Sequence, residues 1–229
     1  MGNSGDSPLG KRGTNRRPFG VYGRNLGQPC YINTRMTTAS IDLSLRSTGI
    51  CITDEDGTLI EYQLVSNPTE KNEELVIKNT RDIIRFLKNY DTDLKHIVIE
   101  GLAYMGVSAS KDLIAGNFWN LRCILRLTFP DIPVTIVPVT EWRKLYISKE
   151  RAKELKESFK ELPTDTKEEK KAKKNLKTDW QKKECVRILP EEMKAKFLDY
   201  IEKLDVKKES IYDLTDAYFI GQWSVKEKI

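Results

Sequence analysis

Three short β-rich runs follow one another before any helical periodicity begins, and this arrangement constrains the fold more than any other feature of the chain. Ala39–Leu45 and Gly49–Thr53 are rich in β-formers, Asp54-Glu55-Asp56-Gly57 carries the Asp-Gly hairpin signal, and Thr58–Val65 returns. The spacing then predicts a helix over Glu70–Tyr90, with apolar residues at 75, 76, 83, 84, 86 and 87. His96–Glu100 reads as a short buried strand, and Ser108–Phe129 as a long helix stopped by Pro130 and Pro133. Val134–Val139 reads as a further buried strand. A lysine-rich stretch at 148–183 is weakly amphipathic, Val186–Leu204 is helical around Pro190, and Ser210–Val225 is a terminal helix with Ser210 as its expected N-cap. The order β-β-β-α-β-α-β-α-α predicts an α/β fold. Three antiparallel strands and then parallel ones form a mixed five-stranded sheet flanked by helices. A purely parallel doubly wound sheet does not begin with a meander. No internal repeat is visible.

Charge is distributed unevenly along the 229 residues. The net charge of +5 divides into a basic segment at 1–36, with six Lys/Arg against one Asp, and a second at 144–183, with fourteen against eight; the remainder is acidic. Residues 1–36, rich in Gly, Asn, Arg and Pro, read as a disordered basic arm or a leader, and 37–229 as the folded domain. Charge runs are commonly solvated faces, but basic appendages on an acidic body also suit a polyanionic partner. With 39% apolar residues and a mean hydropathy of −0.52 the chain can bury a core. No apolar run approaches the ~18 residues of a membrane helix. The N-terminus lacks a secretory h-region, so a cytoplasmic protein with no membrane partner is expected. Cysteines at 30, 51, 123 and 185, with no C-x-x-C pair, and one histidine, His96, argue against a zinc site or a disulfide scaffold. His96 reads as a surface or satisfied histidine rather than a general base.

Four carboxylates stand out by position. Asp42 alternates with Ile41 and Leu43, as an isolated acid in a strand centre. Glu100 ends the run Ile97-Val98-Ile99, and Asp213 and Asp216 share one face of the terminal helix. Each alone is more often structural. Together they lack a matching buried Lys or His, and an unpaired buried acid is costly. Divalent cations resolve this, and hard oxygen ligands suit Mg²⁺ or Mn²⁺. Two such ions can activate water and stabilise the leaving oxygen in phosphodiester hydrolysis.

The motifs Ile41-Asp42-Leu43-Ser44-Leu45-Arg46-Ser47-Thr48-Gly49, Ile97-Val98-Ile99-Glu100-Gly101 and Asp213-Leu214-Thr215-Asp216-Ala217 resemble those of RuvC-type Holliday junction resolvases. Thr140-Glu141-Trp142-Arg143-Lys144 is similar to a W-R-K element of the bacteriophage versions. The resemblance spans roughly Thr38 to Ser224. It implies an RNase H-like fold, a homodimer, and Mg²⁺-dependent nicking of branched DNA such as four-way junctions or forks. It also implies Asp42, Glu100, Asp213 and Asp216 as catalytic metal ligands, with Asp42 bridging two Mg²⁺ ions for which Mn²⁺ can substitute. Phage encoding would place the protein in the host cytoplasm. Arg143 and Lys144 are expected on DNA phosphates, with Arg46, Lys149 and Lys177 as further DNA contacts; Lys182 and Lys183 extend the basic track. Tyr104, with Met105, is nearest to the aromatic wedge that the family often places after the strand-ending Glu. The chain departs from the family pattern in the long lysine-rich insertion at about 148–183. Trp142 and the aromatics of the 108–129 helix read as core; in resolvases that helix also tends to contribute to the dimer interface. The alternatives are a non-catalytic branched-DNA-binding protein on the same fold and a sugar-kinase or actin-like ATPase. The ATPases need a second acid–Gly motif and an adenosine-binding glycine pair, and neither is present.

Overall fold

The computed structural model describes residues 36–102 and 111–228, which belong to one compact unit spanning 34–229. The expected basic arm up to residue 35, Tyr104 and Met105 lie outside the described residues. Five strands, β1 (Thr37–Asp42), β2 (Ser47–Asp54), β3 (Leu59–Ser66), β4 (Leu94–Glu100) and β5 (Val134–Val137), form one sheet in the order β3-β2-β1-β4-β5. β1 pairs antiparallel with β2, and β2 with β3; β1 and β4 are parallel, as are β4 and β5. This is the mixed five-stranded α/β sheet expected from the meander and the βα units that follow it. The β2–β3 turn forms as its sequence predicts. Gly57 takes a φ of +81°, open to glycine at little cost. Asp54 Oδ1 accepts from the Asp56 and Thr58 backbone amides at 3.1 and 2.8 Å.

Strand periodicity divides the sheet into two faces. Ile41, Ile50, Ile52, Ile97 and Ile99 face α1 (Asn72–Leu87) and α2 (Lys111–Thr128), whose Ile83, Leu87, Phe118, Leu121 and Leu125 complete one core. Cys51, Leu64, Val98 and Val137 belong to the opposite core, with α7 (Ile211–Lys226) supplying Leu214, Ala217 and Ile220. That second core also takes Trp142 from α3 (Val139–Lys144), Cys185 from α5 (Lys167–Ile188), and Phe197 and Ile201 from α6 (Glu191–Lys203). α7 lies across β1 and β2.

The structure differs from the sequence reading at element ends. β1 stops at Asp42 rather than Leu45, so Asp42 ends its strand instead of sitting at its centre. Beyond it, Ser44 closes a loop: its Oγ accepts from the Ser47 amide at 3.0 Å, and its amide donates to Thr48 Oγ1 at 3.2 Å. β5 stops at Val137, and Pro138 opens the six-residue α3. The lysine-rich stretch is two helices, α4 (Lys149–Ser158) and α5. Ser148 caps α4, and Thr166 with Glu169 forms a capping box on α5. Ser210 does not cap α7; it lies in a 3₁₀ turn, Lys208–Ser210, with helical backbone angles and no capping bond. His96 is buried, with Nε2 2.8 Å from Thr135 Oγ1. Among the described residues no helix is long and apolar enough to cross a membrane.

Candidate active site

The site forms where the C-terminal ends of two adjacent parallel strands meet the first turns of a helix. Ile41 pairs with Ile99 across β1 and β4, and one residue further along each strand stand Asp42 and Glu100. Neighbouring strands are about 4.8 Å apart, and paired residues share a face, so both carboxylates point to the α7 side. There α7 presents Asp213 and Asp216, three residues apart and hence on one helix face. Asp216 is buried and the other three are half-buried. The four predicted acids therefore converge from three elements.

Their electrostatics record that convergence. Burial lifts Asp42 well above the ordinary carboxylate range, and the Glu100, Asp216 and Asp213 charges lift it further. Glu100 is raised to about 7, by burial first and then by Asp216. Burial raises Asp213 to about 6, and it also raises Asp216. The Lys182 ammonium opposes the rise at all four. Concentrated negative charge with incomplete compensation is the donor chemistry that hard divalent cations satisfy.

Two consecutive residues of α3 engage this cluster. The Trp142 indole Nε1 donates to Glu100 Oε2 at 3.2 Å, and Arg143 Nη2 donates to Asp216 Oδ2 at 2.8 Å. Trp142 is fully buried, as its core reading requires, and the guanidinium carbon lies 4.8 Å from its ring centroid. Burial works against the Arg143 charge, but the Asp216 and Glu100 carboxylates outweigh it and raise its pKa. Asp216 Oδ1 and Arg143 Nε are both buried without a hydrogen-bond partner. Asp216 thus has one oxygen held and one orphaned. Among the described residues, no three His, Cys, Asp or Glu side chains are set to hold a metal ion as they stand.

The expected basic residues divide into two groups. Arg143, expected on a DNA phosphate, is directed inward to Asp216, because its short helix packs directly against the cluster. Arg46, Lys144, Lys149 and Lys177 are exposed, and Lys144 pairs with Glu141 at 2.8 Å. No buried Lys or His is expected among the acids; the partner the structure supplies is an arginine, Arg143 on Asp216, with the half-buried Lys182 acting on all four. Reading the sequence alone misses the effect of Lys182 on all four acids, although one signal exists. Lys182 lies three residues before the buried Cys185, hence on the inward side of α5.

No protein-family model matches the chain, and no curated protein matches it. Among solved structures it is similar to Thermus thermophilus RuvC in complex with a Holliday junction substrate, with 14% identity over 84% of this chain and 96% of that one and a TM-score of 0.44. The Thermus thermophilus RuvC structure gives 12% identity, 84% and 97% coverage and a TM-score of 0.44. A ROK hexokinase from Thermus thermophilus gives 16% identity, 48% and 36% coverage and a TM-score of 0.33. At such values the architecture rests on the strand order and register described above.

Proposed function

We propose that the chain is a metal-dependent endonuclease that nicks branched DNA, with the four-way junction as its preferred substrate. The observation that carries this reading is the convergence of Asp42, Glu100, Asp213 and Asp216 at one end of the sheet, with their pKa values raised by burial and, for Asp42, Glu100 and Asp213, by neighbouring acids as well. These carboxylates would hold two Mg²⁺ ions, or Mn²⁺ in their place; the donor set fits, and the orphaned Asp216 Oδ1 is an available ligand atom. When bound, the ions would supply positive charge to the developing phosphodiester transition state and a more acidic attacking water.

The remaining roles belong to the chain itself. Trp142 orients Glu100 through its indole N–H, as an outer hydrogen bond does for a metal ligand. Lys182 offsets the repulsion among the acids. Arg46, Lys144, Lys149 and Lys177, all exposed, would hold backbone phosphates. Such contacts bind the polyanion without reading its sequence, which suits recognition of a branch by shape. The same reading makes the protein a homodimer, matching the two scissile strands of a junction. Of the aromatics on α2 read as core, Phe118 is buried but Trp119 is not: α2 leaves Trp119 and Leu127 exposed, 51% and 78%, on its side away from the core.

The test is cleavage of labelled four-way junction, fork and linear duplex, with Mg²⁺ or with EDTA. Metal-dependent nicking that favours the junction is expected. Tight junction binding without cleavage under any metal would favour the non-catalytic DNA-binding reading.

A further inference from the structure

The Arg143–Asp216 pair does not have the form of a finished structural ion pair. A buried pair is favourable when its remaining donors and acceptors are also satisfied, and arginine ordinarily meets a carboxylate through two parallel bonds. Here a single bond of 2.8 Å joins the two side chains, which are 15% and 4% exposed. Asp216 Oδ1 and Arg143 Nε are left buried and unbonded. The carboxylate is therefore half-used, beside three other acids and in a place where a cation belongs. The adjacent Trp142 engages Glu100 in the same way, so α3 occupies one carboxylate from β4 and one from α7 at once.

We infer that Arg143 is a resident counter-cation that competes with divalent metal for Asp216, so that loading the site requires the guanidinium to leave. The inference rests on the metal-site reading above. It makes Arg143 a positioning residue that sets metal affinity. Its signature has a definite sign. A residue that merely braces the site loosens metal binding when it is removed, because the carboxylate it holds loses its orientation toward the metal. A competitor tightens metal binding when it is removed.

The experiment is direct titration of the full chain with Mn²⁺ at pH 8, without DNA, by calorimetry or by the electron paramagnetic resonance of free Mn²⁺. Wild type, Arg143→Gln, Arg143→Lys and Asp42→Asn are compared, with folding checked by circular dichroism. The expected result is about tenfold tighter binding by Arg143→Gln, within the ordinary range by which one bound group changes the affinity for another. Arg143→Lys should show a smaller gain, since lysine keeps the charge and loses the planar fork. Asp42→Asn should lose binding. If Arg143→Gln does not fold, the lysine variant decides the matter by the same sign. Unchanged or weaker binding in the folded Arg143 variants, with Asp42→Asn still abolishing it, overturns the competition and leaves the metal site standing. Mn²⁺ binding that is indifferent to Asp42 overturns both readings.

Discussion

Gly49 lies against the backbone of Asp213: a Cβ on Gly49 would stand 2.0 Å from the Asp213 carbonyl oxygen and 2.9 Å from the Leu214 nitrogen. Gly49 also pairs with Asp42 across β1 and β2. One residue without a side chain thus sets the approach of α7 to the sheet and, with it, the positions of Asp213 and Asp216 relative to Asp42. The glycine of the Thr-Gly in the first motif is a packing requirement of the helix that carries Asp213 and Asp216.

Gly49→Ala should therefore displace α7 rather than a flexible side chain. A cost of about 3 kcal/mol is expected, the upper end for overpacking, together with loss of cleavage. Thermal melting and the junction assay read the two effects. A variant that melts and cuts like wild type would show that the first turn of α7 adjusts freely.

The raised carboxylates fix the sign of the metal-free pH dependence. Glu100 at about 7 and Asp213 at about 6 hold protons that the unfolded chain, with ordinary carboxylates near 4, has released. Their contribution to metal-free stability is therefore fully present below the unfolded values and is lost as pH rises through about 6 to 7. Metal binding needs the deprotonated forms, so the melting-temperature gain from Mg²⁺ should be larger at pH 8 than at pH 5.5. Melts with and without Mg²⁺ across this range check both trends; a metal-free protein that gains stability from pH 5 to pH 8 would contradict them.

Trp142→Phe retains an aromatic ring in the core but removes the hydrogen bond to Glu100, which holds that carboxyl lower than burial alone would place it. The Glu100 pKa should rise, and the alkaline-rising limb of the cleavage profile should move to higher pH. A pH–rate profile of the variant reads this shift, and an unmoved limb would exclude a role for the indole N–H.

The exposed lysines separate phosphate binding from a merely solvated face. Replacing Lys149 and Lys177 together by Ala should lower the slope of log affinity against log salt by ~0.9 for each phosphate that is no longer neutralised. Fluorescence anisotropy of a labelled junction across a KCl series measures the slope. An unaltered slope would assign both lysines to solvent.

Much of the fold is legible because each strand carries its own local signal: β-branched runs, an Asp-Gly turn, and prolines after the long helix. The four acids are legible for a related reason, since each interrupts or ends an apolar pattern. Their partners are not. Arg143 reads as a surface cation because only the packing of α3 against the second core turns it inward, and a six-residue helix after Pro138 leaves little periodicity to detect. Asp42 reads as mid-strand because Leu43 and Leu45 extend the alternation, whereas the Ser44 hydrogen bonds to the Ser47–Thr48 backbone and side chain end the strand. The α4–α5 stretch is ambiguous in sequence because most of its residues face solvent. Its helix starts are nevertheless written in Ser148 and in the Thr166–Glu169 capping box.

The central claim is that Asp42, Glu100, Asp213 and Asp216 form one metal-dependent hydrolytic centre. The most direct measurement is the single-turnover cleavage rate of a labelled four-way junction in Mg²⁺ for wild type and for Asp42→Asn, beside the junction affinity of each. Loss of cleavage by several orders of magnitude at unchanged affinity is the predicted result. An Asp42→Asn protein that cuts at the wild-type rate would contradict it.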